Sequence, residues 1–369
     1  MKTAIVCDWL TEIGGAEKVL LEIHKLFPDA PIYTSQYRPK SAIWFARLDV
    51  RTGWLNIFPR ALRKFLSPLR YRYFSHLDLS AYDLVISSSN AEAKAVKTRA
   101  DAVHISYQHG PPVQYYWGMY DDYIKNPGFG KLNWLARLGL KFLAGGLRKI
   151  DYKCAQNPDF LVANSNYVRD EIKKYYGRAA TVIHPGVDVK KIRELARENP
   201  AARRDGFIIT GRQANWKHID LAVKACLKTG DKLLVVGDGP EHDKLVKLAT
   251  GNDNVQFLPR YNDVSEIVKY FCAARAFIFP SIEPFGITPI EAMACGTPVL
   301  ALKRGGSLDF ISPQNGRFFE QQTVESLVAA LEKIKKTRFD QKTVEKAAER
   351  FDTSEFKKRF LGFIDDKLA

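Results

Sequence analysis

The chain has 369 residues, 46% of them hydrophobic, too many for one ordinary core and suited to two domains of roughly 150–200 residues. Five scattered cysteines with no C-x-x-C pair, and seven histidines without metal-ligand spacing, argue against a disulfide scaffold and a structural zinc. A net charge of +15 raises nucleic acid or an anionic surface as partners, but no helix-turn-helix, zinc or ribonucleoprotein signature accompanies it, so no nucleic acid is expected.

Strand and helix patterns alternate throughout, which indicates α/β layers. Thr3 to Cys7 reads as a buried strand entered directly, without an apolar leader, and no apolar run approaches the ~18 residues needed to span a bilayer. The expected location is cytoplasmic. Gly14-Gly15-Ala16-Glu17-Lys18 then opens a helix from Ala16 to Lys25, with Val19, Leu20 and Ile23 at helical spacing. Paired glycines there allow close backbone approach to a phosphate or sugar, or serve the geometry of the turn alone.

Tyr37 to Leu79 interleaves Arg47, Arg51, Arg60, Arg63, Lys64, Arg70 and Arg72 with aromatics and leucines, and Lys131 to Lys149 carries five basic residues and no acidic one. Residues 1–180 hold 26 Lys and Arg against 16 Asp and Glu, giving +10 of the total. Such segments suit a surface lying on an anionic bilayer, or a helical insertion whose apolar side is core. Between them Asp83 to Ser89 and Val103 to Gln108 are buried strands, the second ending at His109. A histidine beyond a strand's carboxyl end can donate to a phosphate oxygen, hold a sugar hydroxyl, or be purely structural. Asp159 to Ser165 and Thr181 to Asp188 complete this sheet, Asn164-Ser165-Asn166 caps a helix through Tyr175, and a Pro-Gly segment places the domain boundary near Gly186.

The second half opens with a strand, Gly206 to Thr210, followed by a loop bearing Arg212 and Lys217. Two cations at a strand's carboxyl end can neutralise a diphosphate or simply be solvated. Leu233 to Leu245 gives strand, glycine turn at Gly237, and helix; its G-D-G-P lacks the third glycine of a dinucleotide fingerprint. Ala276 to Phe279 and Val299 to Leu302 are buried parallel strands. Between them Thr288 reads as an N-cap, Pro289 as the first helical residue and Glu291 as the capping-box carboxylate, so that the helix start favours an anion. Phe351 to Leu368 is an amphipathic helix.

The segments E-P-F-G-I-T-P-I-E-A-M-A-C-G-T-P-V, G-R-x-x-x-W-K-x-I-D-L-A, GGAEK and H-G-P-P-V-Q-Y-Y-W together resemble family 4 retaining glycosyltransferases, particularly a subgroup of bacterial polysaccharide mannosyltransferases. The resemblance implies the α/β GT-B fold: two Rossmann-like domains, 1–185 and 186–350, facing a cleft, with a tail, 351–369, crossing back to the first. It implies catalytic roles for His109, Arg212, Lys217 and Glu283. Donor contacts fall to Gly15, Gly237, Leu258, Tyr261, Phe285, Gly286, Ile287, Thr288 and Glu291, and acceptor contacts to Gly14, Tyr115 and Trp117. Gly110, Gln114, Asp309 and an extra residue before Trp117 depart from the family pattern. No metal or cofactor is expected, because no D-x-D lies in a suitable loop. The implied reaction moves a hexose, mannose from GDP-mannose by subgroup or a UDP-sugar alternatively, to a lipid-linked or cell-surface glycan, or a polyprenyl-linked acceptor, at the inner face of the cell membrane. A nucleotide-sugar-binding subunit without turnover is the competing reading.

Overall fold

Short apolar runs bounded by glycine, serine or aspartate fold as buried parallel strands, and the amphipathic stretches between them fold as covering helices, which is the layer logic of α/β proteins. The computed structural model describes residues 1–113, 116–125, 130, 133–200, 204–261 and 263–369. They form two units, Met1–His184 together with Lys357–Ala369, and Pro185–Phe356.

The first unit holds seven parallel strands: β1 Thr3–Cys7, β2 Ile32–Thr34, β3 Val50–Thr52, β4 Leu84–Ser89, β5 Val103–Gln108, β6 Phe160–Ala163 and β7 Thr181–Val182. Their order is β3-β2-β1-β4-β5-β6-β7, so the chain builds outward from β1 in one direction and returns through β4 in the other. Cys7 pairs with Ser88 at the carboxyl end of that reversal, where open α/β sheets leave a crevice. The helix Thr353–Leu368 packs its later residues on this sheet, Phe360 against Tyr107 and Phe363 against Phe160.

The basic, aromatic stretch from Tyr37 to Leu79 divides in two. Phe45, Leu55, Leu66, Tyr71 and Phe74 are core, β3 lies within it, and Arg70 is buried in a two-bond pair with Glu92 (2.7 and 3.0 Å). Ile57, Phe65 and Trp54 stay exposed. The region thus supplies core side chains on one side and keeps Arg47, Arg51, Arg60 and Arg72 exposed on the other. The helix Asn133–Cys154 differs: only Ala144, Leu147 and Asp151 are buried, while Trp134, Leu135, Leu138, Phe142 and Leu143 face out. Asp151 fastens it, accepting Tyr71 Oη and Lys94 Nζ on one oxygen and Trp117 Nε1 and Tyr176 Oη on the other, at 2.6–2.7 Å. Among the described residues no helix is long and apolar enough to cross a membrane.

The second unit holds β8 Phe207–Thr210, β9 Leu233–Val236, β10 Val255–Leu258, β11 Ala276–Phe279, β12 Val299–Leu302 and β13 Gly316–Phe319, ordered β10-β9-β8-β11-β12-β13. Its reversal falls between β8 and β11, which pair Ala276 with Phe207 and Phe277 with Ile208. All five cysteines are free thiols.

Candidate functional site

Because β8 and β11 are neighbours at the reversal, the loops that follow them meet although their residues are far apart in sequence. Lys217 Nζ lies 2.5 Å from Glu283 Oε1, and Ser281 Oγ donates to the same oxygen at 2.7 Å. The two side chains are only 19% and 15% exposed, so salt screens this pair less than one at the open surface. Glu283 Oε2 takes no hydrogen bond among the described residues. Arg212, two residues beyond β8, is exposed and makes no ion pair among the described residues.

The cationic loop is held from below by Gln213, which is fully buried. Its backbone N–H donates to the Asp238 carbonyl (2.6 Å), its carbonyl accepts from Glu241 N–H (2.9 Å), Nε2 donates to the Gly237 carbonyl (2.7 Å), and Oε1 lies 2.7 Å from His242 Nδ1. Gly237, at φ 133°, is the glycine this contact needs: a Cβ there would lie 2.1 Å from the Gly211 carbonyl oxygen. At the loop's other end His218 sits at φ 51°, a strained conformation for a non-glycine residue immediately after Lys217. The Gly237 N–H donates to the Leu258 carbonyl (3.0 Å), and the Tyr261 ring stacks on Tyr270 at 6.0 Å.

The helix following β11 corrects one expectation. It spans Ile287–Ala294, and its N-cap is Gly286, with no side-chain cap. Thr288 is the second helical residue and Pro289 the third, so Glu291 lies inside the helix, where it is buried, and is not the partner in a capping box. The cause is long-range packing: Gly286 takes φ 126° against the rings of Phe279 and Phe310, where a Cβ would stand 3.1–3.2 Å away. Without a capping side chain, the amides of Gly286, Ile287 and Thr288 at this N-terminus remain available to an anion. Beneath the loop, Gly306 N–H donates to the Glu283 carbonyl at 2.8 Å.

In the first unit a small cavity beside the β1–β4 reversal is lined by Asp8, Glu17, Ser88, Asn90 and His109, among others. His109 is buried with Nε2 2.6 Å from Ser88 Oγ, and its carbonyl accepts from Asn164 Nδ2 at 2.6 Å. Burial pushes its imidazole down to about 3, so it is neutral at pH 7 and offers a hydrogen bond, not a cation, to any ligand. Asp8 accepts from the backbone N–H groups of Asn90, Ala91 and Ala93 at 2.6–3.0 Å, fixing the turn after β4. Gly14 is the N-cap of the helix Gly15–Leu26, and Gly15 is its exposed first residue. Trp117 donates its indole N–H to Asp151 (2.6 Å) and packs its ring on Tyr175 and Tyr176. Tyr115 lies outside the described residues.

Burial also raises the Glu17 carboxyl to about 7, with Glu12 adding to the shift and Arg63 and backbone donors opposing it. The native state therefore keeps a proton that the unfolded chain releases between about 4.5 and 7, and stability falls as pH rises through that window. Glu17→Gln keeps the shape and removes the charge. Relative to the variant, the wild type should lose about 1–3 kcal/mol between pH 5 and pH 8, measured as diverging melting temperatures.

Two family models cover the chain almost end to end: Glycosyltransferase Family 4 matches residues 13–191, and Glycosyl transferases group 1 matches residues 191–351. The chain belongs to glycosyltransferase family 4. This family member is similar to a GDP-mannose-dependent monoacylated alpha-(1-6)-phosphatidylinositol monomannoside mannosyltransferase of Corynebacterium glutamicum, 30% identical over 207 residues, which are 49% of this chain and 54% of that protein. It also resembles D-inositol 3-phosphate glycosyltransferase 1 of Catenulispora acidiphila, 34% identical over 176 residues, 40% of this chain and 42% of that one. The matches thus span about half or less of those relatives' length. Among solved structures, the lipopolysaccharide outer core galactosyltransferase WaaB in its apo form superposes with TM-score 0.71 at 17% identity over all of both chains. Anabaena HepE in complex with UDP gives 0.69 at 21% identity, covering 99% of this chain and 100% of that one. These neighbours establish the GT-B fold type, two parallel-sheet Rossmann-like units.

Within this family member several side chains matter that sequence reading passed over. Gln213 left no signal, since a polar residue in a polar loop looks solvated until its four partners are known. Ser281 sits two residues before Glu283, and Asp8 directly follows a buried strand; a carboxylate in that position was a legible hint. The Gly305-Gly306 pair was visible but its task, lying under Glu283 and Phe285, was not.

Proposed function

We propose that this chain transfers a hexose, with retention of anomeric configuration and without a metal ion, from a nucleoside-diphosphate sugar to a lipid-linked or cell-surface glycan. The observation that carries the reading is the Lys217–Glu283 pair at the sheet reversal, beside a helix N-terminus with no side-chain cap. Departure of the sugar leaves a diphosphate, and Lys217, Arg212 and the amides of Gly286 to Thr288 are fixed positive groups that relieve its charge as it develops. Glu283 cannot face that diphosphate without repulsion. It holds Lys217 with Oε1 and accepts a hexose hydroxyl with Oε2. Glu291 accepts from the ribose. Gly237, Leu258 and Tyr261 border the nucleotide base. In the first unit, neutral His109 and Ser88 are uncharged partners suited to a sugar hydroxyl, and the departing phosphate, not a side chain, takes the acceptor's proton.

Mannose from GDP-mannose is supported by the GDP-mannose dependence of the Corynebacterium relative, whereas the UDP held by HepE supports a UDP-sugar as the alternative. Turnover of a panel of GDP- and UDP-sugars, with and without chelator, tests the reading. The expected result is one active donor, unaffected by chelator, with an unchanged anomeric configuration by NMR. An inverted product contradicts the mechanism, and donor binding without turnover favours the non-catalytic subunit.

The outward face of the helix Asn133–Cys154, with Trp134 64% and Phe142 78% exposed beside Arg137, Lys141 and Lys149, supports peripheral attachment to an anionic membrane at its inner face. Wild type should cosediment with vesicles containing anionic phospholipid and not with neutral ones. The double variant Trp134→Glu, Phe142→Glu should bind at least about tenfold more weakly.

A further inference from the structure

Trp216 sits in the loop that carries Lys217. Its ring centroid lies 4.6 Å from Lys217 Nζ, the same ammonium that lies 2.5 Å from Glu283 Oε1. The indole is 44% exposed, so one part of the ring covers the ammonium and the rest meets solvent. Among the exposed large hydrophobics of the second unit, Trp216 and Leu308 are in loops that touch the Glu283–Phe285 segment, and Trp216 is the aromatic one. The short helical turn Asn215–Lys217 and the left-handed His218 behind it fix the indole's backbone, while buried Gln213 anchors the loop's start. An aromatic ring on a rigid turn loses little entropy when it binds.

A hexose presents hydroxyls at its edges and C–H bonds on its faces. A group that accepts the hydroxyls, as Glu283 is proposed to do, leaves a C–H face that is better placed against an apolar plane than against water. We infer that Trp216 is the stacking platform for the hexose of the donor, a specificity-determining contact made by its exposed ring surface while Lys217 occupies the other part. This rests on the donor reading of the same site. It separates the indole's part from that of the lysine, because a platform acts on the sugar and a lysine acts on the diphosphate.

The test is calorimetric titration of the intact chain with GDP, UDP, GDP-mannose and UDP-glucose, for wild type, Trp216→Leu and Trp216→Phe. The inference expects Trp216→Leu to weaken the sugar nucleotide that binds best by about five- to tenfold and to leave the matching diphosphate within about twofold. Trp216→Phe, which keeps a ring, should recover most of the loss. The tryptophan fluorescence change on adding the sugar nucleotide should be reduced in both variants. Equal weakening of sugar nucleotide and diphosphate would show that the indole only holds Lys217, and no weakening of either would show that it does nothing; both results overturn the inference and leave the donor reading standing. Failure of all four compounds to bind wild type overturns the two together.

Discussion

Replacing Lys217 by alanine lowers kcat/KM for the sugar donor by about 10²–10³, the loss expected when one preorganised positive group is removed from a developing oxyanion. The fall should be largely in kcat, since the charge on the leaving diphosphate grows toward the transition state. Stability should change little. The pair is part-buried, Ser281 still donates to Glu283, and among the described residues the other side chain against the Lys217 ammonium is the exposed Trp216. Steady-state kinetics beside a melting curve decides the matter: a variant that keeps its melting temperature and its activity would remove Lys217 from the mechanism.

The largest expected loss of stability is in the first unit, at Asp151. It is fully buried and takes four donors, one of them the equally buried ammonium of Lys94. Asp151→Ala leaves that cation without its carboxylate and three neutral donors without an acceptor, a loss of about 3–5 kcal/mol. That is a large part of the 5–15 kcal/mol typical of a folded domain. The charge is separable from the hydrogen bonds: the double variant Asp151→Asn, Lys94→Met should recover part of the loss, because it removes both charges and keeps an acceptor. Urea denaturation followed by tryptophan fluorescence reads this directly, since Trp117 is bonded to Asp151. The same substitution should loosen the helix Asn133–Cys154 and so weaken vesicle binding, because Asp151 ties that helix to Tyr71, Lys94 and Tyr176.

Strands such as Leu84–Ser89 and Ala276–Phe279 were legible because a strand buried on both faces is an unbroken apolar run, or an apolar run ending in serines. Lys217 and Glu283 were legible as separate loop residues after strands. Their meeting was not, because it depends on β8 and β11 being neighbours, a property of sheet order and not of spacing. The misplaced cap at Thr288 has a similar origin. Local propensity favours Thr-Pro at a helix start, but the rings of Phe279 and Phe310 shape the turn at Gly286 and move the start earlier. The place of His109 directly after a strand was legible, whereas its neutrality comes from burial and is invisible in a linear reading. The bond from the Trp117 N–H to Asp151, more than thirty residues away, leaves no trace in a linear reading. In the basic stretch Tyr37 to Leu79, Arg70 is paired inside the protein with Glu92 while Arg47, Arg51, Arg60 and Arg72 are exposed, and composition alone cannot distinguish a paired arginine from one facing solvent.

In the proposed function, the switch point of the second sheet holds the diphosphate of a nucleotide sugar. The most direct measurement is titration of GDP and of UDP into the wild-type chain and into Arg212→Ala, Lys217→Ala. Saturable binding of at least one nucleotide to wild type, weakened at least about a hundredfold in the double variant, is the predicted result. Equal affinity in both proteins, or no binding to either, contradicts it.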